Sequence, residues 1–287
     1  MLAIYKKELR SYFTSMIGYV FMSFFLVVIG IYFFAQNLLG GYANFEYTLS
    51  SISFIFVLLA PILTMRLMAE ENKQKTDQLL YTSPLSASSI IMGKFLAVFT
   101  IFLGVILIIS TYPMILSKYG DVKLSTAYAS VLGFALLGGA YLSMGLLISS
   151  LTDSQVVAAV ISFVVFLFTA LMEGIANIIP SDNRTAYIVF SAILLLICYI
   201  LYRMMHNVTV SIAIACIGEA ALTITYLIKP AIFDGSVSRV FTWFSVLSRF
   251  DSFYYGILDL TSIVYYFSII FVFLYLSTQV IKKKRWS

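Results

Sequence analysis

Residues 61–97 read PILTMRLMAEENKQKTDQLLYTSPLSASSIIMGKFLA, and this stretch decides how the rest of the chain is interpreted. An apolar run enters it, a connector rich in charged and hydroxyl-bearing residues follows, and apolar sequence then resumes. A polar connector between two long apolar runs is typical of a loop that joins two membrane-spanning helices on one side of a bilayer.

The composition of the chain is that of a polytopic membrane protein. Apolar residues make up 61% of the 287 residues, charged residues make up 11%, and the mean hydropathy is +0.99. Soluble domains carry about 25% charged residues. No polar stretch is long enough to build a separate soluble domain, so we predict one all-α membrane domain over residues 1–287. The net charge of +5 follows the membrane topology and does not indicate a nucleic-acid partner.

A helix that crosses a bilayer needs about 20 predominantly apolar residues. The segments that approach this length are 16–39, 49–68, 94–117, 128–150, 155–178, 185–202, 208–228 and 261–281. The sixth segment is short, so residues 185–228 fit either two spans or a re-entrant hairpin. The predicted fold has six core transmembrane helices and an extra hairpin, which gives eight spans if both arms of the hairpin cross.

The distribution of Lys and Arg predicts that the N- and C-termini are cytoplasmic. With the N-terminus inside, twelve of the 18 basic residues lie in predicted inner segments and six lie in outer segments. Residues 1–15 are predicted to form an interfacial helix along the inner membrane surface. Its apolar face carries Leu2, Tyr5, Leu9, Tyr12 and Met16.

The connector, residues 66–92, is the largest predicted cytoplasmic loop. Residues 65–81 contain neither Gly nor Pro, and a helix there would place Arg66, Glu70, Lys73 and Asp77 on one stripe of alternating charge. A solvated helix that only joins two spans would show the same pattern. An ordered helix of this length exceeds what a joiner needs, so we favour a docking element for a soluble partner.

This connector resembles the hallmark segment of ABC-2 type transporter permeases, in their gliding-motility and nitrous-oxide-reductase-maturation branch. The matching positions are Thr64, Met65, Arg66, Ala69, Glu70, Glu71, Thr76, Leu79, Leu80, Pro84, Gly93 and Lys94. Lys75 departs from the pattern, because the family usually has Gly there, and Gln78 stands where Glu is usual. The stretches KKELRSYFTSMIGYV and SRFDSFYYGILDLTSIVYYFS extend the resemblance over most of the chain.

In that family the connector is the coupling helix that docks on a nucleotide-binding subunit. The resemblance implies the permease subunit of a bacterial ABC exporter in the cell membrane. It also implies two copies of an ABC ATPase, a second permease chain (identical or a sister) and, in some members, an extracytoplasmic or membrane-anchored accessory protein. The implied ATPase-docking residues are Arg66, Glu70, Glu71, Lys73, Thr76, Asp77, Leu79 and Leu80.

The chain carries no phosphate-binding loop of its own. Gly93-Lys94 is its only Gly-Lys pair, and the residues around it do not fit the pattern G-x-x-x-x-G-K-[ST]. The lone histidine, His206, and the absence of a Cys/His cluster leave no metal site and no catalytic residue. We therefore expect no enzyme activity and no cofactor in this chain, with ATP and Mg bound by the partner ATPase.

Residues 230–260 are rich in aromatic residues and too polar to span the membrane. This composition predicts short re-entrant helices in the outer interface. In the family that the chain resembles, this region closes the outer mouth. The residues of the predicted outer gate are Phe250, Phe253, Tyr254, Gly256 and Asp259.

Glu173 and Glu219 lie within predicted spans, where a charge costs about 2.5–3.5 kcal/mol. They lie either on a substrate or proton path or in hydrogen bonds between helices. The first alternative function is therefore an ion-coupled secondary transporter that uses both carboxylates, although the two halves of the chain show no convincing internal repeat. The second alternative is a membrane signalling or assembly partner of an ATPase that transports nothing.

Small residues recur every four positions in the fourth predicted span, at Ala135, Gly139 and Ser143. This spacing allows two helices to approach closely. The close approach occurs either within the chain or at a seam between two permease chains.

Overall fold

The structure is a computed structural model that describes residues 1–76, 78, 85–180, 182–205 and 208–286. The regular structure in these residues is helical. The first part of the chain forms α1 Leu2–Thr14, α2 Met16–Tyr32, a π-helix Phe33–Leu39, α3 Phe45–Ile52, α4 Ile55–Thr64, α5 Arg66–Gln74, α6 Ala87–Ile109, α7 Tyr112–Leu116 and α8 Leu124–Leu151. The second part forms α9 Gln155–Ile178, α10 Asn183–Met205, α11 Val208–Ile228, α12 Ser236–Phe244, α13 Asp251–Tyr254 and α14 Leu260–Trp286, with 3₁₀ turns at Pro230–Ile232 and Ser248–Phe250.

Seven helices among the described residues are long and apolar enough to cross a membrane, and the count rises to eight if one bent pair forms a single span. This result confirms the prediction of an all-α polytopic membrane protein. Both arms of the questioned hairpin are full-length helices, α10 with 23 residues and α11 with 21. The sequence-based description of residues 185–202 as a short segment underestimated α10.

The second predicted span, 49–68, is wrong as a single straight helix. The chain bends by 61° between Phe45–Ile52 and Ile55–Gln74. Near the bend, the Ser51 hydroxyl donates to the Tyr47 carbonyl at 2.9 Å and the Ser53 hydroxyl donates to the Ser50 carbonyl at 2.8 Å. Serine hydroxyls that bond to nearby carbonyls weaken a helix slightly.

The chain forms two compact units. The first comprises Met1–Ala170 and Val246–Ser287, and the second comprises Leu171–Ser245. The predicted outer segment 230–260 is divided between them. In the second unit, α10 pairs with α11, and a small apolar cluster centres on Ala186, Phe233 and Val237.

Helix α8 runs through the middle of the first unit and packs against α3, α4, α5, α6 and α14. Four buried rings, those of Phe25, Phe56, Phe102 and Phe134, form the centre of the core. Every pair of these ring centroids is separated by 4.7 to 6.5 Å. Aromatic pairs at such distances add about 0.5–1.5 kcal/mol each to the free energy of burial.

Gly138 on α8 leaves room for this ring cluster, and Gly138→Ala is expected to destabilise the protein by about 1–3 kcal/mol. A Cβ at this position would clash with Phe102 and lie 2.9 Å from Phe56. The matched control is Gly30→Ala on α2, where a Cβ would meet nothing within 4 Å. Thermal unfolding in detergent checks the difference, and equal melting temperatures for the two variants would contradict this account of the core.

The N-terminal helix α1 buries one face in the first unit. The buried residues of α1 are Ile4, Glu8 and Tyr12, whereas Leu2 is 70% exposed. Glu8 and Tyr12, the latter a member of the predicted apolar face, have polar partners inside the protein. The position of α1 along the membrane surface stays a prediction.

Candidate functional site

Lys94, near the start of α6, is the centre of a buried polar site at one end of the first unit. Its side chain is 1% exposed, and its ammonium group contacts three acceptors. These are Glu8 Oε1 at 2.9 Å, Glu71 Oε2 at 2.8 Å and the Leu67 carbonyl oxygen at 2.6 Å. The contacts with Glu8 and Leu67 are hydrogen bonds, and the contact with Glu71 is an ion pair. This single side chain joins α1, α5 and α6.

Lys7 on α1 completes an ion cluster that consists of Lys7, Glu8, Glu71 and Lys94. The Lys7 ammonium lies 2.9 Å from Glu71 Oε1. Burial lowers the pKa of Lys7, but the hydrogen bond and the negative charge of Glu71 outweigh it and raise this pKa above its usual value. Because Glu71 is only 12% exposed, solvent screens its ion pair with Lys94 weakly.

Ser149 on α8 holds the beginning of α5. Its hydroxyl oxygen accepts hydrogen bonds from the N–H groups of Met68 at 3.0 Å and Ala69 at 3.1 Å. The same hydroxyl donates to the Met65 carbonyl at 3.0 Å. The first N–H groups of a helix have no partner within that helix, so Ser149 satisfies two of them from a neighbouring helix. Helix α8 therefore caps the first turn of α5.

Arg66, the first residue of α5, packs against α1. Its guanidinium carbon lies 5.5 Å from the centroid of the Tyr12 ring, and its Nε donates to Glu70 Oε2 at 2.7 Å. The Tyr12 hydroxyl donates to the Leu63 carbonyl at 2.8 Å. These contacts combine a cation–π interaction with an ion pair one turn apart. They fix the angle between α1 and α5.

Helix α5 ends earlier than predicted, and the prediction of a helix over residues 65–81 is wrong. Its last residue is Gln74, and Lys75 adopts a left-handed conformation with φ of 55°. The Lys75 N–H donates to the Asn72 carbonyl at 3.2 Å and the Thr76 N–H donates to the Glu71 carbonyl at 3.1 Å. This pair of bonds is a Schellman motif, which favours glycine at the left-handed position. The family that the connector resembles usually has glycine at this position.

Lys75→Gly is therefore expected to stabilise the end of α5 by about 0.5–1 kcal/mol, because glycine adopts positive φ without steric cost. Lys73→Gly is the matched control, since Lys73 lies inside α5 and the same change there should destabilise the helix by about 1 kcal/mol. Hydrogen exchange of the α5 amides distinguishes the two. Equal exchange rates in both variants would contradict the assigned helix end.

The structure separates the predicted docking residues into different environments. Lys73 and Thr76 are exposed, Arg66 and Glu70 are partly buried beside α1, and Glu71 belongs to the ion cluster. A cavity of about 430 Å³ lies between α1 and α5 and is lined by the ion cluster and by Ser11, Arg66, Leu67, Glu70, Gln74 and Thr76. Asp77, Leu79 and Leu80 lie outside the described residues, as do Pro84 and His206.

Other polar contacts place the end of α14 at the same end of the first unit. Lys284 Nζ lies 3.8 Å from Asp153 Oδ1, which follows α8, and Arg285 Nη1 donates to the Leu85 carbonyl at 3.2 Å. The Asn72 side chain of α5 donates to the Thr152 carbonyl at 3.0 Å. Helix α1, the connector, the α8–α9 junction and the end of α14 therefore lie together.

Phe250 and Phe253, two residues of the predicted outer gate, are fully buried in the first unit. The Phe250 ring centroid lies 6.1 Å from that of Phe134, and the Phe253 ring centroid lies 6.3 Å from that of Tyr266. A Cβ at Gly133 of α8 would clash with Phe253. Both rings are thus packed against α8 and α14, and a gating role stays a prediction.

The remaining predicted gate residues shape the turn before α14. Gly256 has φ of 73°, and a Cβ there would lie 2.6 Å from Thr126 Cγ2. Asp259 accepts a hydrogen bond from the Thr261 N–H at 3.0 Å, and this bond lowers the pKa of the Asp259 carboxyl. The Tyr254 ring centroid lies 5.1 Å from that of Tyr47. Gly256 and Asp259 therefore have local structural roles.

The two predicted intramembrane carboxylates belong to the second unit. Glu219 on α11 accepts a hydrogen bond from the Ser191 hydroxyl of α10 at 2.6 Å. A Cβ at Gly218 would clash with Leu194, so the two helices approach closely there. Glu219 therefore forms a hydrogen bond between helices, which is one of the two roles predicted for it. Glu173 is half-buried on α9.

Sequence reasoning did not assign Lys7, Glu8, Lys94 or Ser149 to the site. A usable signal existed for Lys94, because a lysine at the start of a long apolar helix requires a partner. Gly93 beside it allows α1 to approach, since a Cβ there would lie 3.1 Å from the Met1 carbonyl oxygen. Nothing in the sequence points to Ser149.

The described architecture is that of a multi-pass helical membrane protein with a polar helix fixed at one end of its bundle. A family model described as ABC-2 family transporter protein matches residues 33–233, which is more than half of the 287 residues. No curated protein matches the chain. The chain therefore belongs to the ABC-2 family of transporter proteins. Membership identifies a permease component of an ABC transporter, which works with an ABC ATPase subunit.

Proposed function

We propose that this chain is the membrane subunit of a bacterial ABC exporter and that the ATPase docks on the exposed end of α5. The observation that carries the proposal is the contrast between the two ends of this helix. Its beginning is bonded to α8 through Ser149 and to α6 through Leu67 and Lys94. Residues 73–76 at its end are exposed. A helix that is fixed at one end and accessible at the other transmits force from a soluble partner.

Force applied to α5 reaches the opposite end of the first unit through α8. Ser149 and Gly133 lie on this one helix, so they are separated by about 24 Å at 1.5 Å per residue. Gly133 packs against Phe253 of the predicted outer gate. A rigid helix couples the two ends, and displacement of Ser149 shifts the surface on which Phe253 rests. This path gives the predicted gate a mechanical input from the ATPase.

The exposed charges near α5 indicate the chemistry of the docking partner. Lys73 and Lys75 are exposed at the end of α5, and Lys6 and Arg10 are exposed on α1. Complementary charge accelerates association and fixes orientation, so the facing surface of the ATPase should be acidic. In this proposal the end lies at the cytoplasmic surface of the bacterial cell membrane with both termini inside, and the basic excess supports this orientation.

The complete transporter in this proposal contains two ATPase subunits, which bind ATP and Mg, and a second permease chain that is identical or a sister. The match of the connector favours the gliding-motility and nitrous-oxide-reductase-maturation branch, in which some members use an extracytoplasmic or membrane-anchored accessory protein. The hydrogen bond between Ser191 and Glu219 supports a structural role for this carboxylate rather than ion-coupled transport.

Co-expression with an ABC ATPase, which we expect a neighbouring reading frame to encode, tests the proposal. We expect the ATPase to co-purify with the tagged permease in detergent, with two copies of the ATPase in each complex, and to hydrolyse ATP. Transport of cargo by the reconstituted complex separates an exporter from a signalling or assembly partner that only stimulates hydrolysis. A folded permease that purifies without any ATPase would contradict the proposal.

A further inference from the structure

Glu46, in the first turn of α3, is a buried carboxylate that the proposed function does not use. It is 7% exposed, and in the described part of the chain no hydrogen bond or ion pair reaches its side chain. Its carboxylate oxygens are not among the enclosed unpaired polar atoms of the described residues, so they face the cavity that Glu46 lines. A carboxylate that faces a cavity without a protein partner is suited to bind a cation there.

Glu46 lines a cavity of about 420 Å³ at the end of the first unit opposite to the ion cluster. Three tyrosines share this cavity. The ring centroids of Tyr47 and Tyr254 are 5.1 Å apart, and those of Tyr254 and Tyr255 are 4.9 Å apart. The faces of aromatic rings attract organic cations, and several rings around a carboxylate are a recurrent way to bind ammonium groups.

The charges around the cavity also favour a positively charged ligand. Glu46 and Asp121 are its acidic residues and Lys123 is its basic residue, so the lining is net negative. Within the described residues, Lys123 forms no ion pair with either carboxylate, and no group of three His, Cys, Asp or Glu residues could hold a metal ion. Ca²⁺ takes six to eight oxygen ligands, so two carboxylates among rings suit an organic cation better.

The backbone that carries Glu46 is held in place before any ligand arrives. Asn37, buried in the π-helix, donates to the Tyr42 carbonyl at 2.7 Å and accepts from the Thr48 hydroxyl at 2.6 Å. These bonds fix both sides of the turn that leads into α3. A preformed site loses little conformational entropy on binding.

We propose that this cavity binds an organic ammonium group, with its charge against Glu46 and its substituents against Tyr47, Tyr254 and Tyr255. The ammonium group belongs either to a soluble amine or to the head group of a phospholipid in the adjoining leaflet. The proposal rests on the cavity alone and does not depend on ATPase docking. Its failure would leave the proposed function unchanged.

Protection of a cysteine from maleimide tests the site in the full chain. Ala43 lines the cavity, so Ala43→Cys is introduced into a variant that carries Cys198→Ser and Cys216→Ser, and the protein is placed in nanodiscs of phosphatidylglycerol. Choline chloride is expected to slow labelling at least tenfold if a soluble ammonium ion is the ligand. Replacement of phosphatidylglycerol by phosphatidylethanolamine is expected to slow labelling instead if the ligand is a lipid head group.

Glu46→Gln is expected to abolish either form of protection, while Glu173→Gln, a carboxylate outside the cavity, should preserve it. Tyr47→Leu provides a second variant at a partly exposed ring, in case Glu46→Gln fails to fold, and should weaken protection at least threefold. Labelling that neither choline nor phosphatidylethanolamine slows would overturn the proposal. Protection that survives in folded Glu46→Gln, or in Tyr47→Leu where only that variant folds, would overturn it as well.

Discussion

Lys94→Met is expected to lower the free energy of unfolding by about 3–5 kcal/mol, which is the usual cost of removing one partner from a buried ion pair. Methionine fills most of the volume of the lysine side chain, so the loss comes from charge rather than from a cavity. Glu8 and Glu71 would remain buried without the ammonium group that now lies 2.9 and 2.8 Å from them. The Leu67 carbonyl would also lose a hydrogen bond at 2.6 Å.

Thermal unfolding in detergent measures this effect, with Lys118→Met as the matched control at an exposed position. The double variant Lys94→Met with Glu8→Gln should recover part of the lost stability, because Glu71 keeps its ion pair with Lys7 and the Glu8 side chain, which has lost its partner, is then neutral. ATP hydrolysis by the complex should become independent of transport in Lys94→Met, since α5 is no longer joined to α6. A melting temperature equal to that of Lys118→Met would show that the ion cluster does not hold α5.

The pair of substitutions Lys73→Glu and Lys75→Glu is expected to weaken binding of the ATPase at least tenfold, which corresponds to about 1.4 kcal/mol or more. Both side chains are exposed and reversed charges would face an acidic partner surface. Stability of the permease should change by no more than about 0.5 kcal/mol, because neither residue is part of the ion cluster. Loss of binding without loss of folding distinguishes a docking contact from an internal one.

Binding of purified ATPase to immobilised permease, measured at low and at high salt, checks this prediction. Affinity of the unmodified chain should fall as salt rises, since salt screens contacts between exposed charges. The matched control is Lys118→Glu with Lys229→Glu, two exposed lysines in predicted outer segments. Equal affinity of both double variants would exclude a docking role for the end of α5.

The apolar runs of the sequence were sufficient for the membrane class, and the resemblance of the connector was sufficient for the family. The side of the membrane on which the site lies stays a prediction. The ion cluster was not predictable, because Glu8 and Lys94 are 86 positions apart and lie on different helices. Helical periodicity relates residues within one helix only. Glu71 therefore resembled an exposed docking residue, whereas its carboxylate is bonded inside the chain.

The end of α5 shows how a local pattern misleads. Charges at helical spacing continued past Lys75, and the residues there are helix formers, so the periodicity predicted one long helix. The left-handed conformation of Lys75 does not change the spacing of the charges, so the pattern could not reveal it. The signal was the usual glycine of the family at this position, which belongs to the end of a helix and not to its middle.

Aromatic content presented a different difficulty in residues 230–260. Rings near a membrane interface are equally abundant in a movable gate and in a fixed anchor. Phe250 and Phe253 are buried against α8 and α14, and the Tyr266 hydroxyl donates to the Val246 carbonyl at 2.9 Å. Only the positions of the neighbouring helices reveal this packing, and composition does not contain them.

The central claim is that the end of α5 lies in the cytoplasm and contacts the ATPase. The most direct test is to place Thr76→Cys in the variant with Cys198→Ser and Cys216→Ser and to label it with a membrane-impermeant maleimide. We predict no labelling in intact cells, labelling in inverted membrane vesicles, and protection in those vesicles when the ATPase is present. Labelling of this cysteine from outside intact cells would contradict the account.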